Sequence, residues 1–121
     1  MAQIVVVLMD GPGVPDRGAS LAGLRASGHR VTVVAPRWPE CQETLLASKA
    51  ALVVVDGASA PSHGRAAARW MATQAPFRTV PFLFLDVADK DVARVKKELP
   101  RAQFATWSGA AGASDRLVRK R

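Results

Sequence analysis

Residues 51–56 read Ala51-Leu52-Val53-Val54-Val55-Asp56, an apolar run with no polar break that ends on a carboxylate. A strand with one face in water alternates apolar and polar residues. A short continuous run is what a strand covered on both faces requires. Three successive valines add strand preference. Strands of this kind belong to parallel sheets, whose neighbours are joined by helical crossovers. The rest of the chain meets that expectation. Similar runs stand at Ile4–Met9, Val31–Ala35, Ala51–Val55, Pro81–Leu85 and Gln103–Trp107.

Helical stretches separate the runs. The first spans about Gly18 to Ser27, turns Leu21 and Leu24 inward and stops at Gly28, a natural position for a helix end. The second, Glu40 to Ser48, starts after Pro39 and buries Leu45 or Leu46. The third, Gly64 to Gln74, is rich in alanine and carries Trp70 and Met71. The fourth opens at Asp89 as an N-cap, places Val92, Val95 and Leu99 on one stripe, and ends at Pro100. A tail from Ser108 is either a fifth helix or a short, frayed turn, because Gly109 and Gly112 weaken its start. Right-handed crossovers and two-sided coverage predict an α/β, flavodoxin-like three-layer sandwich. Its five-stranded parallel sheet has the order 2-1-3-4-5. A six-stranded dinucleotide fold needs a longer chain.

With 121 residues, 49% of them hydrophobic, the chain has room for one domain, 1–121, with a basic C-terminal tail at about 109–121. The lone Cys41 excludes an intramolecular disulfide and fits a reducing compartment. The run Ile4–Met9 is too short to cross a bilayer, and no basic residue precedes it as in a signal peptide. The expected location is therefore the cytoplasm, with no membrane contact. The net charge of +7 calls for a test against nucleic acid. No recognition helix, aromatic RNA-binding motif or zinc-finger spacing accompanies the charge, which reads as a solvated basic surface. A nucleic-acid partner would show itself by steep salt dependence.

In parallel α/β sheets, ligands bind beyond the carboxyl ends of the strands. Asp10, Asp56 and Asp86 follow the first, third and fourth runs and should meet there. Clustered carboxylates that stay ionised call for a cation, and oxygen ligands of this kind suit Mg²⁺. All three are candidate metal ligands; each taken singly is also an ordinary strand-to-loop aspartate. Asp10-Gly11-Pro12-Gly13 lacks the P-loop lysine and reads as a tight turn. His63 could act as a base near Asp56 or stand in its loop without a role. Trp38, Trp70 and Trp107 are expected to cover scattered sheet edges.

Leu52-Val53-Val54-Val55-Asp56 resembles the third strand of bacterial response-regulator receivers, which presents their phosphoacceptor aspartate. The loop from Gly57 to Gly64, with Pro61, is similar to the receiver's post-acceptor loop, and Val80-Pro81 also fits the family. The resemblance covers about residues 3–107. It makes Asp56 the phosphoacceptor candidate, and the departures make the chain a degenerate, pseudo-receiver version. Receivers carry two adjacent acids after strand one; here the pair is Met9-Asp10. They carry Thr or Ser at the end of strand four, where this chain has Asp86, and Lys at the end of strand five, where it has Trp107. A phosphoryl group on Asp56 would lose its cation and face another carboxylate, so the conventional phosphorylation switch is not expected.

The stretch Gly23–Pro36 resembles the N-terminal unit of survival-protein-type nucleotidases and of some nucleotide-sugar glycosyltransferases. Both families are much larger, and the nucleotidases bring a second acid after strand one. Two functional classes follow. The first is a non-catalytic, receiver-like module that binds another protein through Trp107, Arg94 and Lys97; a homodimer is also compatible. The second is a small Mg²⁺-dependent phosphatase or nucleotide-binding enzyme using Asp10, Asp56 and Asp86.

Overall fold

The computed structural model describes residues 2–11, 16–59 and 61–119. Its strands are β1 (Gln3–Val7), β2 (Arg30–Val34), β3 (Leu52–Asp56), β4 (Phe82–Leu85) and β5 (Gln103–Ala105). Its helices are α1 (Gly18–Ala26), α2 (Glu40–Ala47), α3 (Pro61–Ala72), α4 (Asp89–Glu98) and α5 (Ala110–Arg119). The sheet has the order β2-β1-β3-β4-β5 with every pair parallel, which is the flavodoxin-like arrangement.

The unbroken run in β3 has a direct cause. Val53 and Val55 enter a core shared with Leu45 of α2, Met71 of α3 and Val95 of α4. Leu52 and Val54 enter the opposite core, with Leu24 of α1 and with Trp107 and Ala113 beside and within α5. Leu52 to Val55 therefore all face helices, and the whole strand is buried. Val5 and Val7 of β1 repeat the division, with Ile4 and Val6 on the other side.

Several boundaries differ from the sequence expectation. β1 stops at Val7, before Leu8 and Met9, and β5 stops at Ala105, because Trp107–Gly109 turn as a 3-10 helix. The Thr106 hydroxyl caps that turn by accepting the Gly109 N–H at 3.3 Å. α3 starts at Pro61, three residues before Gly64, since proline suits a first helical turn. It ends at Ala72, and a short turn over Ala75–Phe77 follows. Asp89 does not cap α4. Ala88 holds that position without a side-chain bond, and Asp89 lies in the first turn with Asp91, where the helix dipole favours negative charge. Of the two α2 leucines, Leu45 is the buried one.

The tail is a helix of ten residues rather than a frayed end. Ala110 and Ala113 bury against the α1 side, and the Asp115 carboxylate meets His29 Nε2 at 2.7 Å. The tail residues Lys120 and Arg121 lie outside the described residues, as do Pro12 and Gly13 of the expected turn. Trp38 and Trp70 are not scattered. They meet edge to face with ring centres 5.4 Å apart. On the same layer Glu98 of α4 pairs with Arg65 and Arg69 of α3. Cys41 is buried, and that desolvation raises its thiol pKa, so it stays protonated and inert. Among the described residues, no helix is long and apolar enough to cross a membrane.

Candidate functional site: an acidic pair closed by arginine and tryptophan

β3, β4 and β5 end side by side, and the residues just past those ends converge. Asp56 closes β3 and is only 2% exposed. The turn after it folds back, so that the Ala58 and Ser59 N–H groups donate to Asp56 Oδ1 and Oδ2 at 3.3 and 3.1 Å. Aspartate favours such turns because its short carboxylate reaches the amides that follow. Gly57 makes the close approach possible. Its N–H continues the ladder to the Leu85 carbonyl at 2.7 Å, and a Cβ there would lie 2.6–2.9 Å from Val87 and the Leu85 oxygen.

Asp86 leaves β4 with φ of 55°, a left-handed conformation that aspartate tolerates better than most residues. Its N–H donates to the Ala105 carbonyl of β5 at 3.0 Å, while its Oδ1 accepts the Trp107 backbone N–H at 3.1 Å. Trp107 then turns inward. The indole is 6% exposed, and its Nε1–H donates to Asp56 Oδ1 at 2.9 Å.

Arg17 completes the group from the residue before α1. Its Nη2 lies 3.8 Å from Asp56 Oδ1 and 3.9 Å from Asp86 Oδ2, and its guanidinium carbon sits 5.2 Å from the centre of the Trp107 ring. Its backbone is anchored because the Arg17 carbonyl accepts the Leu21 N–H, the first bond of α1. Two carboxylates, one guanidinium and one indole thus converge, with Asp56 fully enclosed, the Asp86 side chain 33% exposed, and the buried Arg17 Nε without a hydrogen-bond partner among the described residues.

The third expected ligand is elsewhere. Asp10 is exposed and held by Arg37, whose Nη2 and Nε donate to its Oδ1 at 2.6 and 2.8 Å. Among the described residues no three metal-binding side chains gather in one place. Mg²⁺ requires near-octahedral oxygen at about 2.1 Å. Here both Asp56 oxygens already accept N–H groups, and Arg17 lies against the pair, so the donor set does not fit the ion. The expected Asp10–Asp56–Asp86 metal site is not assembled.

Trp107 is also not an exposed anchor. It belongs to the core under α1 and α5, whereas Arg94 and Lys97 stand exposed on α4, across the sheet. The 3-10 turn at 107–109 sets this direction, since it swings the side chain off the strand line. The aromatic group nearer the basic helix is the half-buried Phe104, with Lys96 5.8 Å from its ring centre. His63 is exposed in the first turn of α3 and hydrogen-bonds to no described residue. Sequence reasoning missed Arg17. Its one signal was position, a cation directly before the first helix of a sheet whose strand ends carry acids.

No protein-family model matches the chain, and no curated protein matches it either. A solved structure with the same fold is the receiver domain of a sensor histidine kinase from Pseudomonas aeruginosa PAO1, which holds a magnesium ion in its active-site cleft. The TM-score is 0.66 at 18% sequence identity, covering 99% of this chain and 97% of that one. The chain therefore has the receiver fold.

Proposed function

We propose that the chain, as one domain, is a cytoplasmic receiver-fold module that works by protein contact and does not use aspartate phosphorylation as its switch. The observation that carries this is the state of Asp56. Its side chain has no exposed surface and is held by the Trp107 indole beside Arg17. A phosphoacceptor must present an oxygen in line with an incoming donor, and this one offers no approach unless Trp107 leaves. The swap of the family's lysine for Trp107 thus removes a cation and also fills the space. The metal-dependent enzyme reading loses support because Asp10 is taken by Arg37.

Contact is better served by α4. Lys90, Arg94 and Lys97 are spaced to share its outer side, all are exposed, and no carboxylate among the described residues pairs with them. Such an uncompensated row suits a partner with an acidic surface, which it would steer and orient.

Incubation with acetyl phosphate and Mg²⁺, followed by intact mass, is expected to show no added phosphoryl group, as in Asp56→Asn. A phosphoryl mass present in wild type and absent from that variant would overturn the reading. Reversing Arg94 and Lys97 to Glu should leave the melting temperature nearly unchanged and remove proteins recovered with the wild type from its host. Recovery unaffected by the reversal would exclude α4 as the contact face.

A further inference from the structure

We infer that Arg17 is a tethered counter-cation, which does within this chain what a divalent metal ion would do for an open acidic pair, and so makes the strand-end site indifferent to metal. The inference rests on the closed site described above and not on the α4 contact surface.

The two carboxylates need a positive charge. The Asp56 side chain has no exposure and that of Asp86 is 33% exposed, and both carboxylates lie within 4 Å of the same guanidinium. Arg17 lies almost equidistant from them, at 3.8 and 3.9 Å, and no other cation of the described residues is paired with either. Its own placement is determined from two sides. The carbonyl is engaged by the first turn of α1, and the Trp107 ring lies against the guanidinium. An ion in solution loses translational freedom when it binds; a side chain fixed by its helix has already lost it in folding. Millimolar Mg²⁺ therefore competes at a disadvantage. To coordinate the pair it would have to displace Arg17 from between them and compete with the N–H groups of Trp107, Ala58 and Ser59 for the Asp56 oxygens.

A guanidinium also cannot lose its charge near neutral pH. This offset of one of the pair's two negative charges is thus permanent, whereas a bound metal comes and goes with its concentration. The indole contact adds selectivity, since a flat delocalised cation stacks on tryptophan and a hydrated Mg²⁺ does not.

The test uses the full chain, nitrogen-labelled, with millimolar MnCl₂ as a paramagnetic probe. The wild-type Trp107 indole N–H and the amides of Asp56 and Asp86 should keep their line widths. Selective broadening of these signals would place the metal at the site and overturn the inference. In Arg17→Ala the same signals should broaden, and MgCl₂ should raise a melting temperature that it leaves unchanged in wild type. Arg17→Lys, which retains a charge, should remain nearly metal-indifferent. A folded Arg17→Ala as indifferent as wild type would also overturn it. Should that variant not fold, Arg17→Gln carries the same comparison, and the wild-type spectrum decides by itself. A wild type phosphorylated by acetyl phosphate yet silent to Mn²⁺ would remove the contact-module reading and leave this role of Arg17 standing.

Discussion

Trp107→Ala is expected to destabilise the fold by about 3–5 kcal/mol, read as a shift of the denaturant midpoint. Two losses combine. The indole fills the core between the sheet and the α1–α5 layer, beside Leu52, Val54, Leu83 and Leu85, and small alanine side chains at 110 and 113 leave little to collapse into the gap. Its Nε1–H is also a donor to the buried Asp56 carboxylate, whose removal leaves an anion less well solvated. Trp107→Phe separates the two. It keeps most of the ring volume and should lose about 1.5–3 kcal/mol, the usual worth of a hydrogen bond to a charged group. A Trp107→Ala protein nearly as stable as wild type would mean that the ring lies outside the core.

Gly57→Ala is expected to cost about 3 kcal/mol, the upper end for forcing an atom into packed surroundings. The new methyl would lie 2.8 Å from the Leu85 carbonyl oxygen and 2.9 Å from the Val87 Cα. Both belong to the backbone of the neighbouring strand end, so no side-chain rotation relieves the clash. Relief requires β3 and β4 to part where Gly57 N–H bonds Leu85 at 2.7 Å, and that disturbs the amides holding Asp56. Amide exchange at Gly57 and Ser59 should accelerate more than exchange in the middle of β3. Unchanged exchange at both residues would count against this coupling.

The layered sheet was legible because it follows from one property, burial on both faces, which leaves continuous runs such as Leu52–Val55. Strand order then followed from crossover handedness. Asp56 and Asp86 were placed correctly at adjacent strand ends for the same reason. What stayed hidden depends on side-chain direction and on distant pairs. Nothing near Asp10 in sequence announces Arg37, twenty-seven residues on, as its partner. Trp107 read as the end of a strand, and its inward turn comes from a 3-10 segment that starts at that residue. Arg17 was missed because its role exists only once β3 and β4 stand beside it.

Asp86 joins β4 to β5 by its N–H and reaches Trp107 by its carboxylate, so one left-handed residue ties both the backbone and the side chain of the next strand end. A receiver that switches needs this corner to hold two arrangements of comparable free energy. Here the Asp86 and Trp107 backbone N–H groups and the indole N–H each have a partner in one arrangement, and under the proposed function no phosphorylation is supplied to favour another. On that proposed reading the module would carry no memory of a signal. The fraction engaged with the proposed partner would then follow from the two concentrations and their affinity, as mass action dictates, and control would pass from a bond made on aspartate to how much of each protein the cell makes.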